Sequence, residues 1–184
     1  MGQYYKPVIL NNKNKTTVEK YLYSWDYGNG LKLMEHSYIG NNFVGAFESQ
    51  ITENPQRVVW AGDYADHCKN RKSNVSDRCN SKNIAKPNEV NQDVFQRLHP
   101  FIVNHSKKEY VDKREVPNID GCDFGIHPLP LLTCEGNGRG GGDFRGDNKL
   151  VGSWARDIIS VEQDNMKNKA ILLGYTKLSF DLVE

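Results

Sequence analysis

This sequence has little cysteine, no dominant charge and no long apolar run. No stretch approaches the roughly 18 apolar residues that a membrane-spanning helix needs. Lys plus Arg is 24 and Asp plus Glu is 23, for a net charge of +1. That balance excludes a strongly acidic DNA mimic and a strongly basic nucleic-acid coat. The four cysteines include no C-x₂-C pair, so neither a zinc-ribbon nor a thioredoxin-like spacing is present. The G-x-S-x-G, H-E-x-x-H and G-K-[ST] signatures are missing too. Hydrophobic residues make up 38% of the chain, below the usual ~45–50%, which predicts a modest core and long polar loops. A chain of 184 residues suits one domain that buries roughly 70% of its unfolded surface, so it needs no metal or disulfide merely to fold.

The residues that are present predict a mainly antiparallel sheet. Residues 4–10 and 16–25, split by the polar turn 11–15, read as an opening hairpin. Leu31, Leu33, Met34 and Tyr38 suggest a short helix ending at Gly40, and Asn42 caps a second helix. Phe43, Phe47 and Ile51 fall on one face of that helix, and Pro55 lies beyond its end. Residues 57–61 are a buried strand, and 91–98 a helical turn. Residues 101–104 and 109–111 flank a turn as a second hairpin. The apolar segment 126–133 carries Pro128 and Pro130, which limits it to an edge strand. Residues 153–162 and 170–184 read as closing strands, and Trp25, Trp60 and Trp154 as core. The expected architecture is one α+β domain over 1–184 with two short helices, a polar excursion at 62–89 and a glycine-rich loop at 135–147.

Two regions carry candidate chemistry. An excursion as long as 62–89 needs a function or a tether. Cys68 and Cys79 lie within it, while Cys122, His127 and Cys134 precede the glycine loop. A zinc ion ligated by Cys68, Cys79, Cys134 and His127, with Cys122 as a substitute fourth ligand, would staple the two regions together. The alternative is four free thiols in apolar surroundings. In the loop, Gly136, Gly138 and Gly141 spell G-x-G-x-x-G, but Asp143 and Gly146 follow, so no helix opens to face a pyrophosphate. Arg139, Phe144 and Arg145 are instead candidate contacts for a partner. Asp63, Asp66 and His67 lie close enough along the chain to suggest a metal-dependent hydrolase or nucleotide-acting enzyme as an alternative. A nucleic-acid or small-signal binder is a third reading.

Five stretches carry a resemblance: residues 1–6 (Met-Gly-Gln-Tyr-Tyr-Lys), 30–38 (Gly-Leu-Lys-Leu-Met-Glu-His-Ser-Tyr), 58–66 (Val-Val-Trp-Ala-Gly-Asp-Tyr-Ala-Asp), the glycine loop and 152–157 (Gly-Ser-Trp-Ala-Arg-Asp). In these the chain resembles a family of small accessory proteins carried by phages and prophages of gut Firmicutes. That pool includes anti-CRISPR proteins that bind Cas9, some of which carry zinc. The resemblance therefore implies a binding protein, not an enzyme: an inhibitor docking on the Cas9 of the bacterial host and blocking guide-directed DNA recognition. It assigns no functional residue. Residues 1–6 lack the basic start and apolar core of a signal peptide, so the expected location is the host cytoplasm, away from membranes.

Overall fold

The computed structural model describes residues 3–68, 72–137, 142–146 and 149–181. Along the chain run β1 (Tyr5–Leu10), β2 (Val18–Tyr21), α1 (Asn42–Gln50), β3 (Gln56–Gly62), α2 (Gln92–Leu98) and β4 (Phe101–Asn104). There follow β5 (Glu109–Asp112), α3 (Pro128–Thr133), β6 (Cys134–Glu135), β7 (Ile158–Glu162), α4 (Met166–Leu172) and β8 (Thr176–Lys177). Among the described residues eight strands form one sheet in the order β2-β1-β3-β7-β4-β5-β8, with β6 beside β3. Pairing is antiparallel except for β3–β6 and β5–β8. β3 takes two neighbours on one edge. Gln56 and Arg57 pair with β7, whereas Trp60 and Ala61 pair with β6.

Period-two alternation sends successive side chains to opposite faces. Ile9, Val58, Trp60, Ile102, Ile159 and Val161 enter the main core on one face, where α1 supplies Phe43 and Phe47, its C-cap supplies Ile51, and α3 supplies Leu129 and Leu132. Val8, Leu10, Val59 and Ala61 point the other way, under Cys68 and Val75 of the excursion. Further along that second face, Phe101 and Val103 pack against Leu172 of α4. The excursion is held by Asn74, whose side chain donates to the carbonyls of Asp63 (2.9 Å) and Ala65 (3.2 Å). Tyr21 adds backbone bonds to Asn83 and Ala85.

Both hairpins, the α1 face and the buried β3 follow the sequence pattern. Other segments depart from it. Residues 31–38 form turns and no helix. The cap of α1 is Asn41, one residue before the expected position, with its side chain accepting from the Val44 N–H. Residues 128–133 are the helix α3, not an edge strand, because both prolines sit in its first turn, where N–H groups have no intrahelical partner. Residues 153–157 are turns, and 166–172 are helical, capped by Asn165. Trp25 is 65% exposed, on a 3₁₀ turn at Ser24–Tyr27, while Trp60 and Trp154 are fully buried.

Two buried polar sets lie in or beside the main core. Lys113 Nζ meets Glu48 Oε1 at 2.6 Å, with both side chains withdrawn from water. Glu48 Oε2 accepts from Gln96 at 3.1 Å, and His127 Nε2 approaches Oε1 at 3.4 Å. Burial pushes the Glu48 carboxyl up, but Lys113 and His127 more than offset it and hold it below the ordinary carboxylate range. The second set is His36, which contacts the Gly30 carbonyl through Nδ1 (3.1 Å) and accepts from Trp60 Nε1–H at Nε2 (2.9 Å). A second ring proton would point at the indole donor. Burial lowers the imidazole to about 4.

Because the folded ring resists protonation, its contribution is present above the unfolded value of 6.5 and is lost as pH falls toward about 4. Urea denaturation should show His36 accounting for about 3 kcal/mol of the stability lost between pH 7 and pH 4. His36→Gln should lower stability at pH 7 and flatten that profile. Lys113→Met should cost about 3–5 kcal/mol, because it strands the Glu48 charge. Adding Glu48→Gln to that variant should recover part of the loss.

Candidate functional site

The metal candidates are distributed across the sheet. Cys68 and Cys79 belong to the cluster on the second face, and Cys134 to the main core on the first. Cys122 is exposed. His127 caps α3: Nδ1 accepts from the Leu129 N–H at 3.2 Å, which leaves the proton on Nε2, facing Glu48. Burial pushes the Cys79 thiol up to about 11 and the Cys134 thiol up to about 12. No group of three or more His, Cys, Asp or Glu among the described residues could hold a metal ion. Cys68 and Cys79 thus lie across the sheet from Cys134 and His127, and the apolar packing and Asn74 bonds above hold the excursion.

The other sequence candidates are also placed apart. Arg139 lies outside the described residues, Arg145 is exposed, and Phe144 is buried in the main core and not offered to a partner. The loop bends back over β1: a Cβ on Gly142 (φ +59°) would lie 2.6 Å from the Tyr5 ring, which is why this turn takes glycine. Asp63 accepts the Tyr4 N–H at 2.9 Å and so ties the end of β3 to the start of β1, while Asp66 and His67 are exposed.

A site that sequence reasoning missed lies on the second face, between β4, β7 and α4. There a cavity of about 450 Å³ opens to solvent. Pro55, Val103, Ile171 and Leu172 give it apolar walls, and Glu53, His105, Glu162, Lys167 and Asn168 polar ones. Register builds it. Val103 of β4 is opposite Ser160 of β7, and His105 follows β4 by one residue. Ser160 and Glu162 are two apart on β7, hence on one face, opposite Ile159 and Val161.

These side chains form a hydrogen-bonded chain. Ser160 Oγ donates to Glu162 Oε1 at 2.6 Å, and His105 Nε2 lies 2.7 Å from the same hydroxyl. A hydroxyl has one proton, so with Ser160 donating to Glu162 the imidazole proton is on Nε2. Nδ1 then accepts from Tyr175 OH at 3.3 Å. Burial lowers His105 and keeps it neutral near pH 7. Burial also raises Glu162, and Glu53 adds to the rise, while Ser160, Lys167 and His99 oppose it. Ser160 itself is fully buried, so this Ser–His–Glu sequence presents no reachable nucleophile. The arrangement fixes a carboxylate at the cavity; it does not activate a hydroxyl.

α4 borders the cavity and turns an apolar stripe outward. Met166, Ala170 and Leu173 follow at i, i+4 and i+7, and Met166 and Leu173 are 86% and 90% exposed. No helix among the described residues is long and apolar enough to cross a membrane.

Removing the Ser160 hydroxyl withdraws a donor from Glu162. In Ser160→Ala, the titration midpoint of the Glu162 carboxyl, followed by carbon NMR, should move further up. An unchanged midpoint would contradict the chain.

Compared with protein-family models, curated proteins and solved structures, the sequence and fold match none of them, so the site has to be read from its own chemistry.

Proposed function

We propose that this chain is a binding protein whose partner is the Cas9 of a bacterial host, and that it blocks guide-directed DNA recognition. The observation that supports a binding role is the outward apolar stripe of α4. Two long apolar side chains seated at the ends of one short helix are costly to leave in water. Each is worth about 1.5–3 kcal/mol when covered. The helix that presents them is well anchored. Asn165 caps it, Asn168 donates to the Gln163 carbonyl at 3.0 Å, Lys169 pairs with Asp164 at 2.6 Å, and Leu172 is buried beneath it. A presented surface already held in shape loses little entropy on docking.

The choice of Cas9 comes from the resemblance to phage accessory proteins. The net charge of +1 agrees with docking on a protein surface and not with imitation of DNA phosphates. The hydrolase reading is the weaker one, since Asp63 is engaged by the backbone of Tyr4 and Ser160 is inaccessible.

A pull-down with guide-loaded Cas9, followed by a DNA-cleavage assay, tests the proposal. The protein should co-purify with Cas9 and suppress cleavage. Met166→Asp and Leu173→Asp should each weaken binding roughly tenfold or more without unfolding the chain. Normal cleavage at excess protein across several Cas9 orthologues would overturn the choice of partner. Full inhibition by both aspartate variants would overturn the choice of surface.

A further inference from the structure

The cavity between β4, β7 and α4 has its own chemical bias. Its two carboxylates, Glu53 and Glu162, have no cation within salt-bridge reach among the described residues. Lys167, the one lysine in the lining, makes no ion pair with either. Glu162 is held by the Ser160 hydroxyl at Oε1, and its second oxygen has no hydrogen-bond partner among the described residues. Glu53 is fixed differently. Its backbone is in the left-handed region (φ 50°), and its N–H donates to the Val161 carbonyl at 2.9 Å. That conformation turns the chain from α1 toward β3 at the rim of the cavity. Val103, Ile171 and Leu172 add hydrocarbon.

We propose that this cavity binds an alkyl cation, an ammonium or guanidinium head on an apolar stem, with Glu53 and Glu162 receiving the head and Val103, Ile171 and Leu172 covering the stem. An anion is disfavoured, since two carboxylates face one lysine. A wholly apolar ligand would leave Glu162 desolvated with nothing to compensate it. A head with several N–H donors supplies both the charge and the hydrogen bonds the free carboxylate oxygen lacks. The volume of about 450 Å³ accommodates a small amine or one long basic side chain. Burial, and after it the neighbouring Glu53 carboxylate, raise the proton affinity of Glu162 against the opposing Lys167 and His99. The same chemistry has two sources, a free amine or a lysine or arginine of a bound protein. The inference stands on the cavity alone and does not depend on Cas9 being the partner.

The test is an NMR titration of the full chain with butylguanidinium, with butylurea as the neutral control. Butylguanidinium should bind saturably in the millimolar range and shift resonances of Val103, His105 and Ile171. Glu53→Gln and Glu162→Gln should each weaken it roughly tenfold, the loss of one charge-assisted contact. A melting curve for each variant confirms that the fold persists. Equal binding of butylurea, no saturation, or unchanged affinity in the Glu53→Gln/Glu162→Gln variant would overturn the proposal. A second arm adds butylguanidinium to the complex with guide-loaded Cas9. Displacement identifies a partner's basic side chain as the occupant, and an intact complex a free amine. If the chain binds no Cas9, the titration still decides the cavity.

Discussion

A sheet that must be covered on both faces governs this molecule. β1, β3, β4 and β7 send apolar side chains alternately up and down, so neither face tolerates water. The first face has conventional cover in α1 and α3. The second is divided. The polar excursion closes over β1 and β3 with Val75 and Cys68, and α4 closes over β4 with Leu172. With 38% hydrophobic residues, the chain covers this second face thinly. The cavity and the exposed stripe of α4 both lie where that thin cover ends.

Polar groups in the core follow the same constraint. A buried imidazole at His36 is tolerable because Gly30 and Trp60 occupy both ring nitrogens. Glu48 can be buried because Lys113, His127 and Gln96 surround its carboxylate. At the cavity the matching is incomplete. Ser160 satisfies one oxygen of Glu162, and the remainder is left for whatever enters. That open carboxylate oxygen beside an apolar wall is what singles out the β4–β7–α4 face as the candidate site.

Much of the scaffold was legible because it is written in local periodicity. Phe43, Phe47 and Ile51 lie four apart and do share the buried face of α1. The two hairpins follow from alternation broken by polar turns. α3 was not legible, because Pro128 and Pro130 read equally as strand breakers or as first-turn residues until the cap at His127 is known. α4 was hidden because the alternation through Leu178 and Phe180 invites a strand to be extended backwards over a helix capped at Asn165. The cysteines illustrate a deeper limit. Spacing along the chain does not tell on which side of a sheet a thiol lies, and Cys68 and Cys134 are on opposite sides. The His105–Ser160–Glu162 chain is invisible for a related reason: it exists only once β4 is registered against β7.

The central claim is that the face built by β7, α4 and the residues leading to β8 is where this protein meets its partner. Hydrogen–deuterium exchange, comparing the free chain with the chain bound to guide-loaded Cas9, measures this most directly. The account predicts new protection concentrated in residues 158–177, with the excursion at 72–89 unchanged. Protection confined to the excursion or to the opening hairpin, with α4 exchanging as in the free protein, would contradict it.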